Sequence, residues 1–289
     1  MIRFENRNQI DEEKYNVCIA NSLQNRIYAY SWYLDVVTDN WSAIILDDYE
    51  AVMPLPIQKK YGLLYISQPF FTQQLGVFSK SEITESVFQK FTKSIPRKFL
   101  KIALQFNSKN NFLEENVVQK NNYILSLDKG YEALYKTFSK GRKHAIQQGL
   151  KNELNIEEIS FSELLMLSKR NYSFKEITEN EYVKLTKLVE VLKSKNKTKI
   201  IGVKVNGELI GGAVFLLDSK RIVYLFSAVT TKGRENQVGS LLLNSIINEY
   251  SKTNRILDFE GSQIPGIATF FKSFGAKKET YFLLKKWLL

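Results

Sequence analysis

Cysteine and histidine are nearly absent from the sequence, which holds one of each, Cys18 and His144. A single cysteine excludes an internal disulfide. With one histidine as well, the Cys and His clusters that hold structural zinc cannot form, and we expect no metal site. Proline is scarce too, with five in 289 residues.

Long apolar runs are also missing, since none approaches the roughly 20 residues that a membrane-spanning helix needs. Residues 1–16 are polar and include Asp11, Glu12 and Glu13, which is the opposite of a signal peptide. We therefore expect a cytoplasmic protein without a transmembrane segment. Hydrophobic residues make up 44% and charged residues 25%, as in folded globular proteins, and the length suits two compact domains.

Positive charge is concentrated in the second part of the chain, which has a net charge of +11 overall. Residues 1–130 carry 15 Lys and Arg against 14 Asp and Glu, whereas residues 131–289 carry 26 against 16. The second part is expected to attract an anion: a phosphorylated cofactor, an anionic nucleotide-linked substrate, RNA such as tRNA, or an anionic membrane face. The other interpretation is a surface of scattered, solvated lysines.

The patterning predicts an α/β (α+β) protein of two domains, residues 1–130 and 131–289, each with a mixed, mostly antiparallel sheet flanked by helices. In the first domain we predict helices over 11–23, Ser31–Val37 and 82–94, and strands over 42–46, 51–57, Leu63–Ser67, Phe99–Phe106 and 123–127. Pro54 and Pro56 mark the second strand as an edge strand or a bulged one.

In the second domain a basic linker helix over 131–150 and helices over 161–172 and Glu179–Ser194 precede a β-β-β-turn-α-β-α-β order. Its predicted segments are strands 200–205, 209–217 and Arg221–Val229, a turn 230–239, helix 240–251, strand 256–260, helix 265–274 and strand 281–288. The dipeptide Asn206-Gly207 predicts a two-residue hairpin between the first two strands.

The turn at 230–239 lies between a strand and a helix, where unpaired N–H groups and the helix dipole form an anion site. Gly239 allows a phosphate to approach the backbone, and Lys232 and Arg234 add positive charge. Ser240 suits a helix cap or a donor to a phosphate oxygen. The plainer interpretation is an ordinary capped helix.

Arg234, Gln237 and Gly239 resemble the Arg/Gln-x-x-Gly-x-Gly/Ala turn of the GNAT acyltransferases, with Gln237 standing where the first glycine is usual. Residues 258–262 and 266–276 resemble the fifth strand and fourth helix of that superfamily. The two-domain layout, the basic segment 139–146 and the Asp-Phe-Glu-Gly strand resemble the FemABX-like branch. That branch carries tandem GNAT domains and transfers aminoacyl groups from aminoacyl-tRNA to peptidoglycan precursors.

The resemblance covers most of residues 131–289 at the level of motifs and residues 1–130 by layout alone. It implies a C-terminal GNAT domain with the donor site and a degenerate GNAT-like domain on the acceptor side. The implied reaction moves an acyl group from acyl-CoA, with acetyl-CoA as the first choice, to a small-molecule or peptide amine. The implied donor-binding residues are Ala228, Val229, Lys232, Arg234, Gln237, Val238, Gly239 and Ser240.

Glu260 is the predicted general base, because Asp258 and Glu260 alternate with Phe259 and would share one face of a strand beside the donor. Phe271 stands near the position of a tyrosine that serves many GNAT enzymes as general acid, so Ser262 or water would protonate the leaving group. The other interpretation is that the two carboxylates cap the following turn or pair with a nearby lysine.

Two other functions stay open at this point. One is a FemABX-like aminoacyltransferase that uses aminoacyl-tRNA, favoured by the tandem layout and the basic second domain. The other is a catalytically silent binding module with the GNAT fold, favoured by Gln237 and Phe271. The aromatic and amide-rich loop 68–76 suits an acceptor site, or plain packing of Phe70 and Phe71.

Overall fold

The computed structural model describes residues 1–112, 117–172, 177–261 and 263–287. They form two compact units: unit 1 comprises Met1–Asn121 with Thr280–Leu289, and unit 2 comprises Asn122–Glu279. The division into functional domains at residue 130 stays a prediction. Within the described ranges no helix combines the length and the apolar character needed to cross a membrane.

The described residues form thirteen strands, ten α-helices and two short 3-10 helices, Arg7–Gln9 and Ile27–Ala29. The strands are β1 (Ile2–Asn6), β2 (Asn40–Leu46), β3 (Ala51–Lys60), β4 (Leu63–Ser67), β5 (Phe78–Ser79), β6 (Phe99–Phe106), β7 (Val117–Ser126), β8 (Ile156–Glu158), β9 (Thr198–Val205), β10 (Glu208–Leu217), β11 (Arg221–Val229), β12 (Ile256–Asp258) and β13 (Lys277–Trp287). The helices are α1 (Glu12–Asn21), α2 (Ser31–Val37), α3 (Glu85–Lys93), α4 (Tyr131–Thr137), α5 (Lys140–Lys151), α6 (Phe161–Asn171), α7 (Glu179–Ser194), α8 (Thr231–Glu235), α9 (Val238–Glu249) and α10 (Pro265–Lys272).

The sheet of unit 1 has the order β1-β2-β3-β4-β6-β13. Strands β1 to β4 are antiparallel, β4 runs parallel to β6, and β13 runs antiparallel to β6. Strand β3 lies inside this sheet, but β5 pairs with it only as far as Val52 and β4 only from Ile57. Pro54 and Pro56 fall between those two limits and pair with β2 alone, so the predicted edge character holds for this short stretch.

The sheet of unit 2 has the order β7-β12-β11-β10-β9-β8. Strands β8 to β11 are antiparallel, β11 and β12 are parallel, and β7 is antiparallel to β12. The predicted hairpin is confirmed, with φ of +53° at Asn206 and +80° at Gly207, as a tight two-residue turn requires. Both units therefore place three antiparallel strands, a helix and a strand parallel to the third in the same chain order.

Helix α9 packs its apolar stripe against the sheet of unit 2. Leu242, Leu243, Ile246 and Ile247 are fully buried, at the helical spacing predicted from the sequence. Each side chain of this kind contributes about 1.5–3 kcal/mol when it leaves water. Helix α8 contacts strand β10 at Gly233, where a Cβ atom would clash with the Ile210 carbonyl oxygen, so only glycine fits there.

No prediction covers strands β1, β5 and β8, and two predicted segments take a different form. Residues 131–150 form α4 and α5 rather than one helix, because Phe138 is extended and Ser139 caps a new helix by accepting a hydrogen bond from the Arg142 N–H at 3.2 Å. Phe138 instead packs on Phe274, with ring centroids 5.3 Å apart. The predicted turn 230–239 contains the short helix α8, capped by Thr230, and α9 begins two residues before the predicted start.

Candidate functional site

A cleft opens in unit 2 where two parallel strands separate. Strands β11 and β12 pair over three residues each, the last pair being Val223 with Asp258. Beyond that point Phe259 stays with β7, donating its N–H to the Tyr123 carbonyl at 3.0 Å. Strand β11 leaves β12 at a bulge, since the register with β10 shifts at Leu225. Bulges re-aim strands beside functional sites.

The cleft holds a cavity of about 630 Å³, a size typical of small-molecule sites. Its walls are largely aromatic. They include Tyr172, Tyr224, Phe226, Phe259, Phe270 and Phe271, with Glu260 at the rim of β12 and Arg142, Arg234, Gln237, Gly239 and Ser240 at the start of α9. The cavity therefore joins an apolar channel to a basic end.

The first turn of α9 has the form of an anion site. Gln237 caps the helix with φ of +59°, a left-handed conformation that costs an L-residue about 1–2 kcal/mol. Glycine adopts this conformation freely, and glycine is the residue that the resemblance leads one to expect at this position. The N–H groups of Ser240 and Leu241 bond to the Gln237 carbonyl, so those of Val238 and Gly239 are the helix donors left without a backbone partner among the described residues.

Gly239 keeps the approach to these donors open. A Cβ at Gly239 would lie 3.8 Å from the nearest atom, Phe270 Cζ, so the space above it belongs to the cavity. Val238 is fully buried and offers only its backbone to a ligand. Ser240 is buried too, and its Oγ accepts a hydrogen bond from Arg142 Nη1. Lys232 is exposed on α8 and does not line the cavity.

The exposed edge of β11 ends at Val229, where a tyrosine closes it. The Tyr172 hydroxyl donates to the Val229 carbonyl at 2.8 Å and accepts from the Val229 N–H at 3.3 Å. Arg234 Nη1 donates to the same carbonyl at 3.1 Å. The Tyr172 and Arg234 side chains thus engage the N–H and carbonyl of Val229, a residue that the sequence analysis expects to bind the acyl donor.

Ala228 presents its N–H to the other side. Thr230 donates its N–H to the Ile210 carbonyl at 2.9 Å, on the β10 side of the strand. Because N–H groups alternate along a strand, Ala228 also faces β10, while Val229 and Ser227 face the cleft. Ala228, one of the expected donor-binding residues, therefore turns its N–H away from the cleft, and Ser227, which lines the cavity, lies on the cleft side.

Both carboxylate oxygens of Asp258 are engaged by neighbouring groups. It is buried, its Oδ2 lies 2.7 Å from Arg221 Nη1, and its Oδ1 accepts from Asn122 Nδ2 at 2.9 Å. Oδ1 also accepts the N–H of Glu260 at 3.0 Å, so it caps the turn after the strand. This is the second interpretation drawn from the sequence, with an arginine in place of a lysine.

Glu260 lies at the cavity but not on a strand. Strand β12 ends at Asp258, and Glu260 and Gly261 both have φ of +57°. The predicted alternation that would put both carboxylates on one strand face is wrong, since the chain turns between them. Ser262, the third predicted catalytic residue, lies outside the described residues.

Two cavity residues, Tyr172 and Tyr224, carry no signal in the sequence pattern, and a third, Arg142, is marked only as part of the basic segment 139–146. Burial raises the pKa of the Tyr224 hydroxyl to about 12, against a hydrogen bond with Ser227 that lowers it. These two tyrosines supply hydroxyls to a cavity in which Phe271 offers none. Phe271 packs on Phe259 with ring centroids 4.9 Å apart.

The corresponding place in unit 1 is filled by its own chain. Leu75, in the loop 68–76, donates its N–H to the Gln105 carbonyl at 2.8 Å and accepts from the Asn107 N–H at 2.8 Å. Phe70 is 39% exposed and its ring lies 6.2 Å from that of Phe71. The loop therefore pairs along β6 instead of leaving a cleft beside it.

No family model and no curated protein matches the sequence. Solved structures do match over nearly the whole chain. FemX has a TM-score of 0.69 at 12% identity, covering 94% of this chain and 96% of its own. L-PGS from Bacillus licheniformis has a TM-score of 0.55 at 13% identity, covering 95% and 91%. A tandem GNAT protein from the clavulanic acid biosynthesis pathway has a TM-score of 0.54 at 9% identity, covering 100% and 99%.

At such identities the likeness is one of fold. The mixed α/β architecture and the resemblance are confirmed at the level of fold: this chain has the tandem-GNAT, FemABX-like fold of FemX, L-PGS and the tandem GNAT protein.

Proposed function

We propose that this protein is an N-acyltransferase that moves an acyl group from acyl-CoA to an amine acceptor. The observation that carries the proposal is the separation of β11 from β12, which encloses a cavity of about 630 Å³ that ends at the first turn of α9. A long donor with an apolar or amide arm and a phosphate end matches this combination of an open strand edge and a helix start.

The donor arm would run along β11. Its amides would pair with the Ser227 and Val229 edge, and the Val229 N–H would hold the thioester carbonyl as it becomes an oxyanion. Tyr172 now occupies that N–H, so the donor would displace it or share it. The pyrophosphate would bind the N–H groups of Val238 and Gly239, with Arg234 nearby.

The acceptor amine would attack the thioester directly. Glu260 would take the proton from the amine as the C–N bond forms, and the C–S bond would break to release CoA thiolate. The thiolate would take a proton from water or from a cavity hydroxyl, with Ser262, Tyr172 and Tyr224 as candidates. The products are an amide and CoA.

Calorimetry with acetyl-CoA tests the donor. We expect binding to the full chain, and loss of binding in Arg234→Glu, which reverses a charge at the cavity. Lys232→Glu is the matched control, since Lys232 is exposed on the same short helix outside the cavity. Failure to bind any acyl-CoA would refute the proposed donor.

Glu260→Gln tests the chemistry. Removing a general base lowers turnover by about 10²–10⁴-fold while donor affinity stays unchanged. Turnover of a donor that depends on Glu260 would also dispose of the alternative that the protein is a silent binding module.

A FemABX-like aminoacyltransferase that uses aminoacyl-tRNA is the second candidate. The fold shared with FemX and the positive charge of residues 131–289 favour it. It predicts tRNA binding that weakens steeply between about 50 and 200 mM salt as counterions compete. Binding that salt does not change would count against it.

A further inference from the structure

The guanidinium of Arg142, a residue of the basic segment 139–146, lies in the cleft cavity. Its Nε donates to Ser273 Oγ at 2.9 Å, and its Nη1 donates to Ser240 Oγ. Its Cζ atom lies 4.3 Å from the ring centre of Phe270 and 4.8 Å from that of Phe274. Stacking and two hydrogen bonds therefore fix the plane of the guanidinium.

Protein carboxylates do not balance this charge. Within residues 1–112, 117–172, 177–261 and 263–287, no Asp or Glu forms an ion pair with Arg142, and burial lowers its pKa to about 10. At neutral pH the side chain is still protonated. A half-buried cation without an opposite charge costs stability, so the site gains when an anion enters it.

Arg221 of the same unit shows the contrast. It is also buried, but Asp258 and Glu279 both lie 2.7 Å from its guanidinium. Carboxylates therefore neutralise the arginine that ties the strands together, whereas the arginine in the cavity contacts two serine hydroxyls and two aromatic rings and forms no ion pair among the described residues.

We propose that Arg142 binds a phosphate group of the donor beside the first turn of α9, an assignment that rests on the proposed function. Ser273 and Ser240 engage two of its five N–H groups, which leaves three for a ligand. A guanidinium fork matches two phosphate oxygens at once. Gly239, next to Ser240, leaves the backbone open to the same group.

This assignment names the class of donor. Acyl carriers with a phosphate or pyrophosphate would bind, and short acyl thioesters without phosphate would not be held at this end of the cavity. Arg142 then acts as a specificity residue for the donor, acting from helix α5 and outside the turn that the sequence motif covers.

Calorimetry on the full chain tests the assignment with three probes: acetyl-CoA, inorganic pyrophosphate and S-acetyl-N-acetylcysteamine, a thioester without phosphate. The variants are Arg142→Gln and Arg142→Lys. Lys143→Gln is the control, because it removes one charge from the next residue, whose Nζ bonds to the Lys136 carbonyl outside the cavity. Thermal unfolding of each variant checks that it is folded.

We expect Arg142→Gln to lower the affinity for acetyl-CoA and for pyrophosphate by about 10–100-fold, because a charge-assisted hydrogen bond is lost. The affinity for the phosphate-free thioester should stay unchanged. Arg142→Lys should lie between Gln and wild type, and Lys143→Gln should match wild type. If Arg142→Gln loses pyrophosphate binding, and neither wild type nor any variant binds acetyl-CoA, the phosphate-binding role of Arg142 is upheld and the acyl-CoA donor is refuted. Equal acetyl-CoA affinity in Arg142→Gln and wild type would overturn the assignment and leave the donor standing, and absence of all binding would overturn both.

Discussion

Arg221 and Asp258 form a buried ion pair, 2.7 Å from Nη1 to Oδ2, at the short stretch where β11 and β12 still pair. Burial by itself would lower the pKa of Arg221, but the carboxylates of Asp258 and Glu279 raise it above its ordinary value. Asn122 donates to both carboxylates, at 2.9 and 3.2 Å. The network fixes the point from which the two strands separate and the cleft begins.

Asp258→Asn should destabilise unit 2 strongly. Removing one partner leaves Arg221 buried with less opposite charge, a change that typically costs about 3–5 kcal/mol. Urea unfolding should show the loss as a lower midpoint. Glu260→Gln, two residues later at the cavity rim, should change stability by less than about 0.5 kcal/mol. Equal stability of the two variants would contradict a structural role for Asp258.

Tyr172→Phe should make the edge of β11 easier for a donor to use. The variant removes the hydroxyl that engages both the N–H and the carbonyl of Val229. A hydrogen bond of this kind is worth about 0.5–1.5 kcal/mol net, so acetyl-CoA affinity should rise by about 2–10-fold in calorimetry.

Tyr131→Phe is the control for this change, because its hydroxyl bonds to Asn244 Oδ1 at 2.8 Å outside the cavity. It should leave the affinity unaltered. Weaker binding in Tyr172→Phe would mean that the hydroxyl contacts the donor directly instead of being displaced by it.

Gln237→Gly should stabilise the protein and keep donor binding. Gln237 has φ of +59°, and glycine removes the strain of about 1 kcal/mol that this conformation gives an L-residue. Thermal unfolding should show a higher Tm. Lys252→Gly, at φ of +62° outside the cavity, should stabilise to a similar degree. A loss of acetyl-CoA affinity in Gln237→Gly would show that the glutamine side chain itself holds the donor.

Cys18 should react slowly with thiol reagents in the native protein. It is buried, and burial raises the pKa of its thiol to about 11. The thiol of the unfolded chain ionises near pH 9, whereas burial keeps it protonated in the folded protein until about pH 11. Its contribution to the free energy of unfolding is therefore fully present below pH 9 and is lost as pH rises from 9 to about 11. Labelling with iodoacetamide at pH 8 should be far faster in denaturing urea than without it. Equal rates would contradict the burial of this thiol.

Local patterns predicted much of the secondary structure. Five elements begin and end at the predicted residues: Ser31–Val37, Leu63–Ser67, Phe99–Phe106, Glu179–Ser194 and Arg221–Val229. Their limits are set by nearby groups. Thr178, for example, caps α7 by accepting the Glu181 N–H. The break between α4 and α5 has its own local signal in Ser139, but the helical period on either side conceals it.

The site was less accessible to sequence reasoning, because distant residues build it. Tyr172 reaches Val229 across 57 residues, and Arg142 reaches Ser240 across 98. No period or spacing links such pairs. The turn at Glu260 could not be predicted either, because Asp258-Phe259-Glu260 alternates polar and apolar residues as a strand does. In the structure the Asp258 carboxylate accepts the Glu260 N–H, and the strand ends at Asp258.

The last strand of unit 1 is synthesised after all of unit 2. Residues from Thr280 onward belong to unit 1, where β13 pairs with β6 from Phe282 to Trp287. A ribosome therefore completes all of Asn122–Glu279 before it releases the strand that closes the sheet of unit 1. Until then β6 lacks its β13 partner, and that edge of the strand stays exposed while unit 2 is synthesised. An exposed strand edge is a site where a chaperone can bind or where aggregation can begin.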